Sequence, residues 1–402
     1  MRHWDQATAA LPAPLLIVDL DAFEANHDDL VRRAGRLPVR VATKSVRVRG
    51  LLTAALERSA TSFGRSTATP DGGATMPGFR GLMAYSLAEA LWLAGSVDAG
   101  HGHTDIFVAY PSVDRAAIAE LGRSAYVDQV TLAIDSREHA ELIRQASGGA
   151  PLAVAIDVDA SLRLGPAHLG VRRSPLRTPA QVREVVLAAQ RSGLRVEGLM
   201  FYDAQIAGLP DSSPAVRLVK RRSHRELLDR RGAVVAAVRE LTELRFVNGG
   251  GTGSLEVSGT DPALTELAAG SGLFGPTLFD GYRAFTPRPA AAFALPVVRK
   301  PAPDVATLFS GGYPASGPPG WNRVPRIVSP AGLRLIRTEG TGEVQTPVRG
   351  PGARALALGD RVWLRHAKAG EVCERFDRVH LIRGGELVDT LPTYRGEGRN
   401  FG

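Results

Sequence analysis

The chain has 402 residues, 44% hydrophobic and 22% charged, with a formal net charge of +8 and a single cysteine, Cys373. That length supports two domains, each with its own core. One cysteine excludes an intrachain disulfide and fits a reducing cytoplasm, and no stretch reaches the roughly 20 apolar residues of a membrane span. The N-terminus, "MRHWDQATAALPAPLLIVDLDAFEANHDDL", has acidic residues on both sides of its apolar part and no basic region, so no signal peptide is expected. The positive residues are scattered, and the densest group, "VKRRSHRELLDRR", reads as the wet face of a helix. Nucleic-acid binding wants clustered cations with aromatic partners and is not expected; an anionic small molecule uses positive potential equally well.

In chain order, "PLLIVDL" (14–20) predicts a strand ahead of the main pattern. From residue 39 to about 276, short apolar runs alternate with helix-like segments. The runs are "VRVATK", "GLMAYS", "DIFVAYP", "VTLAID", "LAVAIDV", "VEGLMFY", "LRFVNGG" and "GSGLFGP". Segments such as "SREHAELIRQAS" and "TPAQVREVVLAAQRSG" lie between them. Such alternation implies a parallel sheet, and eight strands match an eight-stranded (β/α) barrel in number and length. A doubly wound sheet is the alternative. After residue 285 the texture becomes Pro/Gly-rich, then short strands with turns: "GLRLIRT", "GDRVWLRH" and "DRVHLIRGGELVDTL". The expected division is an α/β barrel over 22–285 and a C-terminal all-β domain over 286–402, joined by the N-terminal strand within 1–21.

Two features point to chemistry. Only four of the 49 lysine and arginine residues are lysines, and one of them, Lys44, closes the first barrel run in "RVATKSVRV". An ammonium, unlike a guanidinium, can lose its proton and attack a carbonyl. The second is "FVNGGGTGS" (246–254), at the end of the seventh run. Three glycines followed by Thr252, Gly253 and Ser254 expose successive N–H groups beside two hydroxyls, a suitable cradle for a phosphate. It is neither a Walker loop nor a dinucleotide fingerprint. A reactive amine and a phosphate site on one barrel rim suggest pyridoxal phosphate.

With these motifs in place, the chain resembles the D-threonine aldolase / D-serine dehydratase-like group, relatives of alanine racemase with fold type III architecture. The likeness rests on "PAPLLIVDLDAFEAN", "RVATKS", "AIDVDASLRLGPAHLGV", "VEGLMFYDAQIAG", "FVNGGGTG" and "GSGLFGP". It ends in "GDRVWLRHAKAGEVCERFDRVHLIRGGELVD". The resemblance implies a barrel of alanine racemase N-terminal type that binds pyridoxal 5'-phosphate, a β-domain, and a homodimer with its site near the subunit contact. It makes Lys44 the lysine that carries the cofactor. It makes Gly249, Gly250, Gly251 and Thr252, with Asn248 beside them, the phosphate loop, and places Tyr202 near the cofactor ring.

Three positions depart from that pattern. Where the group has an arginine facing the pyridine nitrogen, "HLGV" offers His168, with Arg163 as a second candidate. Where the aldolases have a basic histidine, "YDAQ" has Gln205. Where metal-binding members have a second ligand, "RHAK" keeps His366 but has Lys368; Glu371 or Cys373 are the rescue ligands to weigh. A lysine ammonium opposes a metal, so no divalent metal is expected, His366 being the one candidate ligand. Lys368 is expected to take the metal's place, polarising a substrate hydroxyl or carboxylate, with His366 as acid/base.

The leading reading is a cytoplasmic pyridoxal-phosphate lyase acting on a β-hydroxy-D-amino acid, by retro-aldol cleavage or by dehydration and deamination. Its catalytic residues would be Lys44, His366 and Lys368, and its partner a small-molecule substrate, not a membrane. The alternatives are an amino-acid racemase, with Tyr394 or Tyr313 in the second-base role that alanine racemase gives to a tyrosine of the partner subunit, and a cofactor carrier without catalysis. The long β-domain argues against a carrier.

Overall fold

The computed structural model describes residues 2–63, 78–96 and 103–402. Strand β1 (Leu15–Asp19) comes first, and the eight barrel strands follow. These are β2 (Pro38–Ala42), β3 (Gly78–Ala84), β4 (Ile106–Val108), β5 (Val130–Ile134), β6 (Ala153–Asp157), β9 (Arg195–Phe201), β10 (Phe246–Gly249) and β11 (Glu266–Ala269), with a small hairpin, β7 (Leu162–Leu164) and β8 (Ala167–Leu169), interposed after β6. All eight pair in parallel and close in the order β10-β11-β2-β3-β4-β5-β6-β9. Strands such as β5 and β6 are buried at every position, as expected for a parallel sheet covered by helices outside and side chains within.

Local sequence sets the helix starts. In helix Pro179–Arg191 the Thr178 hydroxyl accepts the Gln181 N–H, and Gln181 Oε1 accepts the Thr178 N–H, with Pro179 in the first turn. The string "TPAQ" is therefore a capping box.

The eighth strand departs from expectation. It is "ELAA" at 266–269, and "GSGLFGP" instead makes the one-turn helix Ser271–Phe274 just beyond it. A four-residue strand starting with glutamate carries no apolar signature of its own. Glu266 tolerates the interior because Arg40 on β2 binds both its oxygens, at 2.9 and 2.8 Å, and also reaches Asp105 at 2.9 Å.

The second layer is a nine-stranded sheet. It contains β12 (Ala291–Ala302), β13 (Val305–Phe309), β14 (Arg326–Ser329), β15 (Arg334–Leu335), β16 (Gln345–Arg349), β17 (Arg361–Arg365), β18 (Arg378–Arg383) and β19 (Glu386–Pro392), with β1 among them. β1 lies antiparallel to β12 and parallel to β18. After the short helix Arg2–Ala7 the chain thus enters this sheet at β1, crosses to the barrel and returns. Among the described residues no helix is long and apolar enough to cross a membrane.

A short seam fixes the sheet over the barrel mouth. Arg365, at the end of β17, donates to the Gly275 and Pro276 carbonyls at 2.6 and 3.0 Å and to Asp280 at 2.8 Å. The Thr277 and Leu278 N–H groups donate to the His366 and Ala367 carbonyls. This seam aims residues 368–371 at the mouth.

Candidate active site

The C-terminal ends of the barrel strands and the facing loops of the sheet enclose a cavity of about 410 Å³. Lys44 stands one residue past the Thr43 that opens a single 3-10 turn after β2, and its Nζ donates to Tyr110 Oη at 2.5 Å. The turn is held tightly. Arg47, in the left-handed region at φ 52°, donates from Nε to the Lys44 carbonyl and from Nη1 to Glu374 at 2.6 Å. Gly370, at φ 91°, lies so close that a Cβ there would fall 1.8 Å from the Lys44 carbonyl oxygen. Only glycine lets the sheet's loop settle on the lysine turn.

The glycine corner sits across the mouth. Gly250, Gly251 and Thr252 line the cavity with Asn248, and Gly270 and Ser271 join them from the end of β11. Gly249 does not line it; its Cα faces Leu264 and the Phe201 carbonyl. Thr252 Oγ1 accepts from the Gly272 N–H and the Ser271 hydroxyl, both at 3.2 Å. Among the described residues the Thr252 and Gly253 N–H groups have no backbone acceptor. Behind the corner, the Ser254 and Ser258 hydroxyls donate to Asp203, whose carboxyl burial pushes up. A buried brace, amides without a backbone acceptor and two hydroxyls are the features that suit an anion. Asn248 donates to Glu266 at 2.8 Å, tying the corner to the Arg40 network.

Two tyrosines and an arginine line the same cavity. The Arg173 guanidinium lies 4.6 Å from the Tyr202 ring centroid and 5.3 Å from that of Tyr110. Burial opposes ionisation of Tyr110, but Lys44 and Arg173 outweigh it and hold the phenol below the usual tyrosine range. For Tyr202 burial prevails and its pKa is raised. Burial pushes the Asp157 carboxyl, at the end of β6, up to about 7, although Arg173 pulls the other way.

His168, expected at the cofactor ring, is not among the lining residues. It sits on β8 with Nε2 3.2 Å from the Val171 carbonyl oxygen. Arg163 is half exposed and bound to Asp159 at 2.8 Å. The interposed hairpin carries both away from the mouth, and Arg173, just beyond it, enters instead. Gln205 is buried off the cavity and donates to the Ala160 carbonyl at 2.7 Å.

On the sheet side the lining includes Lys368, Glu371, Arg323 and Ser316. Lys368 Nζ donates to the Ser316 carbonyl and hydroxyl at 3.2 Å. Burial lowers its pKa; Glu371 opposes this, and Arg323 and Lys44 add to the lowering. The expectation for His366 fails. It is buried outside the cavity, T-shaped to Phe274, and burial with Arg365 beside it pushes its pKa down to about 3. Neither ring nitrogen has a hydrogen bond of good geometry; the Ala291 backbone approaches without completing one. An imidazole so placed neither exchanges protons with a substrate nor binds a metal in the cavity.

The residues therefore do not fit a metal at "HAK". Cys373 is likewise buried, its Sγ on the Val46 carbonyl, with its pKa pushed up to about 12. Among the described residues no group of three His, Cys, Asp or Glu converges. Neither tyrosine weighed as a racemase base lines this chain's own cavity. Tyr394 is buried, donating to Glu89 at 2.9 Å, and Tyr313 packs on Phe293 and Phe376.

Sequence reading missed Tyr110, Arg173 and Arg323. Tyr110 had a usable signal, since it follows the apolar run "IFVA" at a strand end. The arginines had none, being two of many.

No family model matches the chain. It is 28% identical over 327 residues to a D-threonine aldolase of Arthrobacter sp., covering 78% of each. The fold matches a D-threonine aldolase from Filomicrobium marinum with TM-score 0.75 at 21% identity, over 96% of both chains. It matches D-threo-3-hydroxyaspartate dehydratase from Delftia sp. HT23 with TM-score 0.69 at 19% identity, covering 95% and 97%. Alanine racemase of Clostridium difficile 630 follows with TM-score 0.62 at 14% identity, covering 95% and 99%. The chain is thus similar in sequence to a D-threonine aldolase and shares the fold of alanine racemase-like proteins.

Proposed function

We propose that this protein is a pyridoxal-phosphate-dependent lyase acting on a β-hydroxy-D-amino acid. The observation that carries the reading is Lys44 Nζ, inside one cavity with the Gly250–Thr252 cradle. The relatives named D-threonine aldolase and hydroxyaspartate dehydratase support it. The residues fit the cofactor: Lys44 for its carbonyl carbon, Gly250, Gly251, Thr252 and Ser271 for its phosphate, Tyr202 and Arg173 along its ring. When bound, the group supplies an electron sink for the charge left at the substrate's Cα.

The chain supplies proton transfer and positioning. Lys44, once its amine is free, is a base for the α-proton, and Tyr110 Oη lies within hydrogen-bond reach to relay that proton. Lys368 presents an ammonium from the sheet side of the cavity, made more acidic by burial and by its cationic neighbours. An acid at the β-oxygen helps hydroxide leave, whereas retro-aldol cleavage needs a base there. Gln205 and His366 supply no such base, being buried off the cavity. This favours dehydration and deamination over aldol cleavage. The second base of a racemase does not come from Tyr394, which is fixed inside its own chain.

The test is product identification on D-serine, D-threonine and a β-hydroxy-D-amino dicarboxylate, with and without chelator. Keto acid plus ammonia supports the reading; glycine plus aldehyde turns it to the aldolase branch. α-Proton exchange with inversion and no cleavage overturns it. Lys44→Ala is expected to lose the yellow colour and all turnover, and full chelator sensitivity restored by manganese would refute the metal-free chemistry.

A further inference from the structure

In the last turn of helix Leu20–Ala34, Arg33 is buried and does not line the cavity, yet it reaches the glycine corner. Its Nη2 donates to the Thr252 carbonyl at 2.7 Å. The guanidinium is fixed on two further sides. Glu256, just past the corner, accepts from Nε at 3.0 Å and from Nη2 at 2.5 Å, and the Phe285 ring lies against its plane with the centroid 3.6 Å from Cζ. Nη1 is buried without a hydrogen-bond partner, 3.9 Å from Asp29. Because Glu256 matches its charge, Arg33 does not serve the corner as a bare cation, and a buried ion pair by itself adds little stability. What distinguishes this pair is its third contact, which sets the direction of one loop carbonyl.

That carbonyl shares a planar peptide unit with the Gly253 N–H, and the two point to opposite sides. Holding the oxygen on Arg33 therefore turns the N–H away from the guanidinium. Gly253 is buried, and among the described residues its N–H donates to no carbonyl. Buried amides are nearly always paired, so this one is set for an acceptor that arrives with a ligand. Donation from Arg33 to the carbonyl also polarises the unit and makes its N–H a stronger donor. The Thr252 hydroxyl, held by the Gly272 N–H and by Ser271, pins the same residue through its side chain.

Resting on the reading of this corner as a phosphate cradle, we propose that Arg33 is a positioning residue for the cofactor's phosphate. It acts through the Thr252–Gly253 peptide and touches neither cofactor nor substrate. Glu256 keeps the guanidinium fork in place and Phe285 closes its face, so the carbonyl is held in one orientation before the anion arrives.

The experiment titrates the full-length apoprotein with pyridoxal phosphate, with pyridoxal, which lacks the phosphate, and with inorganic phosphate alone. Spectrophotometry reads the first two and calorimetry the third. In Arg33→Met the dissociation constants for pyridoxal phosphate and for inorganic phosphate are expected to rise about 10-fold, the worth of one hydrogen bond, with pyridoxal unchanged within about 2-fold. Arg33→Lys keeps the charge but not the fork, and should show the same pattern at smaller size. It also carries the test if the methionine variant fails to fold. Equal weakening of pyridoxal and pyridoxal phosphate in either variant overturns the proposal, because Arg33 then only holds the fold. Unchanged phosphate binding in either overturns it as well, since packing or charge then suffices. A wild type that takes up neither pyridoxal phosphate nor inorganic phosphate sinks the cradle reading itself, a failure seen before any substitution is made.

Discussion

His366 provides a test of the site's assignment that needs no substrate. Its imidazole is fully enclosed, and burial together with Arg365 pushes its pKa from the ordinary 6.5 down to about 3. The folded protein therefore binds fewer protons here than the unfolded chain does. Stability from this group is complete above pH 6.5 and is lost as pH falls below it, down to the folded pKa. At pH 5 the unfolded chain's imidazole is 1.5 units below its own pKa, which costs about 2 kcal/mol at 1.36 kcal/mol per unit. Any folded pKa well below 5 gives the same figure, so the argument does not depend on the depth of the shift. His366→Leu removes the group with little change of volume. Urea unfolding of wild type and variant at pH 7.5 and pH 5.0 measures it, because every other titration cancels in the difference. The variant should gain about 2 kcal/mol on wild type between the two pH values and keep kcat within a few fold. Parallel pH dependences, or a collapse of kcat, would refute the burial argument and restore His366 as an acid/base.

Other residues give sharper catalytic outcomes. Lys368→Met should lower kcat on any β-hydroxy substrate by about 10²–10⁴-fold, the usual span of a general acid. Lys368→Arg should retain part of that rate and move the alkaline limb of the kcat profile upward, since burial makes the native ammonium lose its proton early; an unmoved limb would assign the limb to another group. Tyr110→Phe removes the hydrogen bond to Lys44 Nζ and should slow α-proton exchange by about 10²-fold with cofactor binding retained, checked by deuterium wash-in. Thr252→Val strands the Gly272 N–H and should weaken cofactor binding about 10-fold, read by spectrophotometric titration of the apoprotein.

Much of this site was written locally. Apolar runs with helices between them specify a parallel barrel, because strands buried on both faces need continuous hydrophobicity. A lysine just past one strand and a run of three glycines at the end of another fall on the same rim by the geometry of that barrel. Those features depend on neighbours in sequence, and so could be read from it.

What the sequence could not decide depends on partners far along the chain. Glu266 is a strand residue only because Arg40, 226 positions away, neutralises it inside the barrel. His168 and Arg173 are five residues apart, yet the hairpin between β6 and the next helix sends one outward and the other to the mouth. His366 and Lys368 are two apart, and the seam made by Arg365 with residues 275–280 buries the first and delivers the second to the cavity. Local pattern fixes which faces are apolar; the side chain that reaches a substrate is decided by how the barrel and the sheet meet, which is a long-range packing outcome.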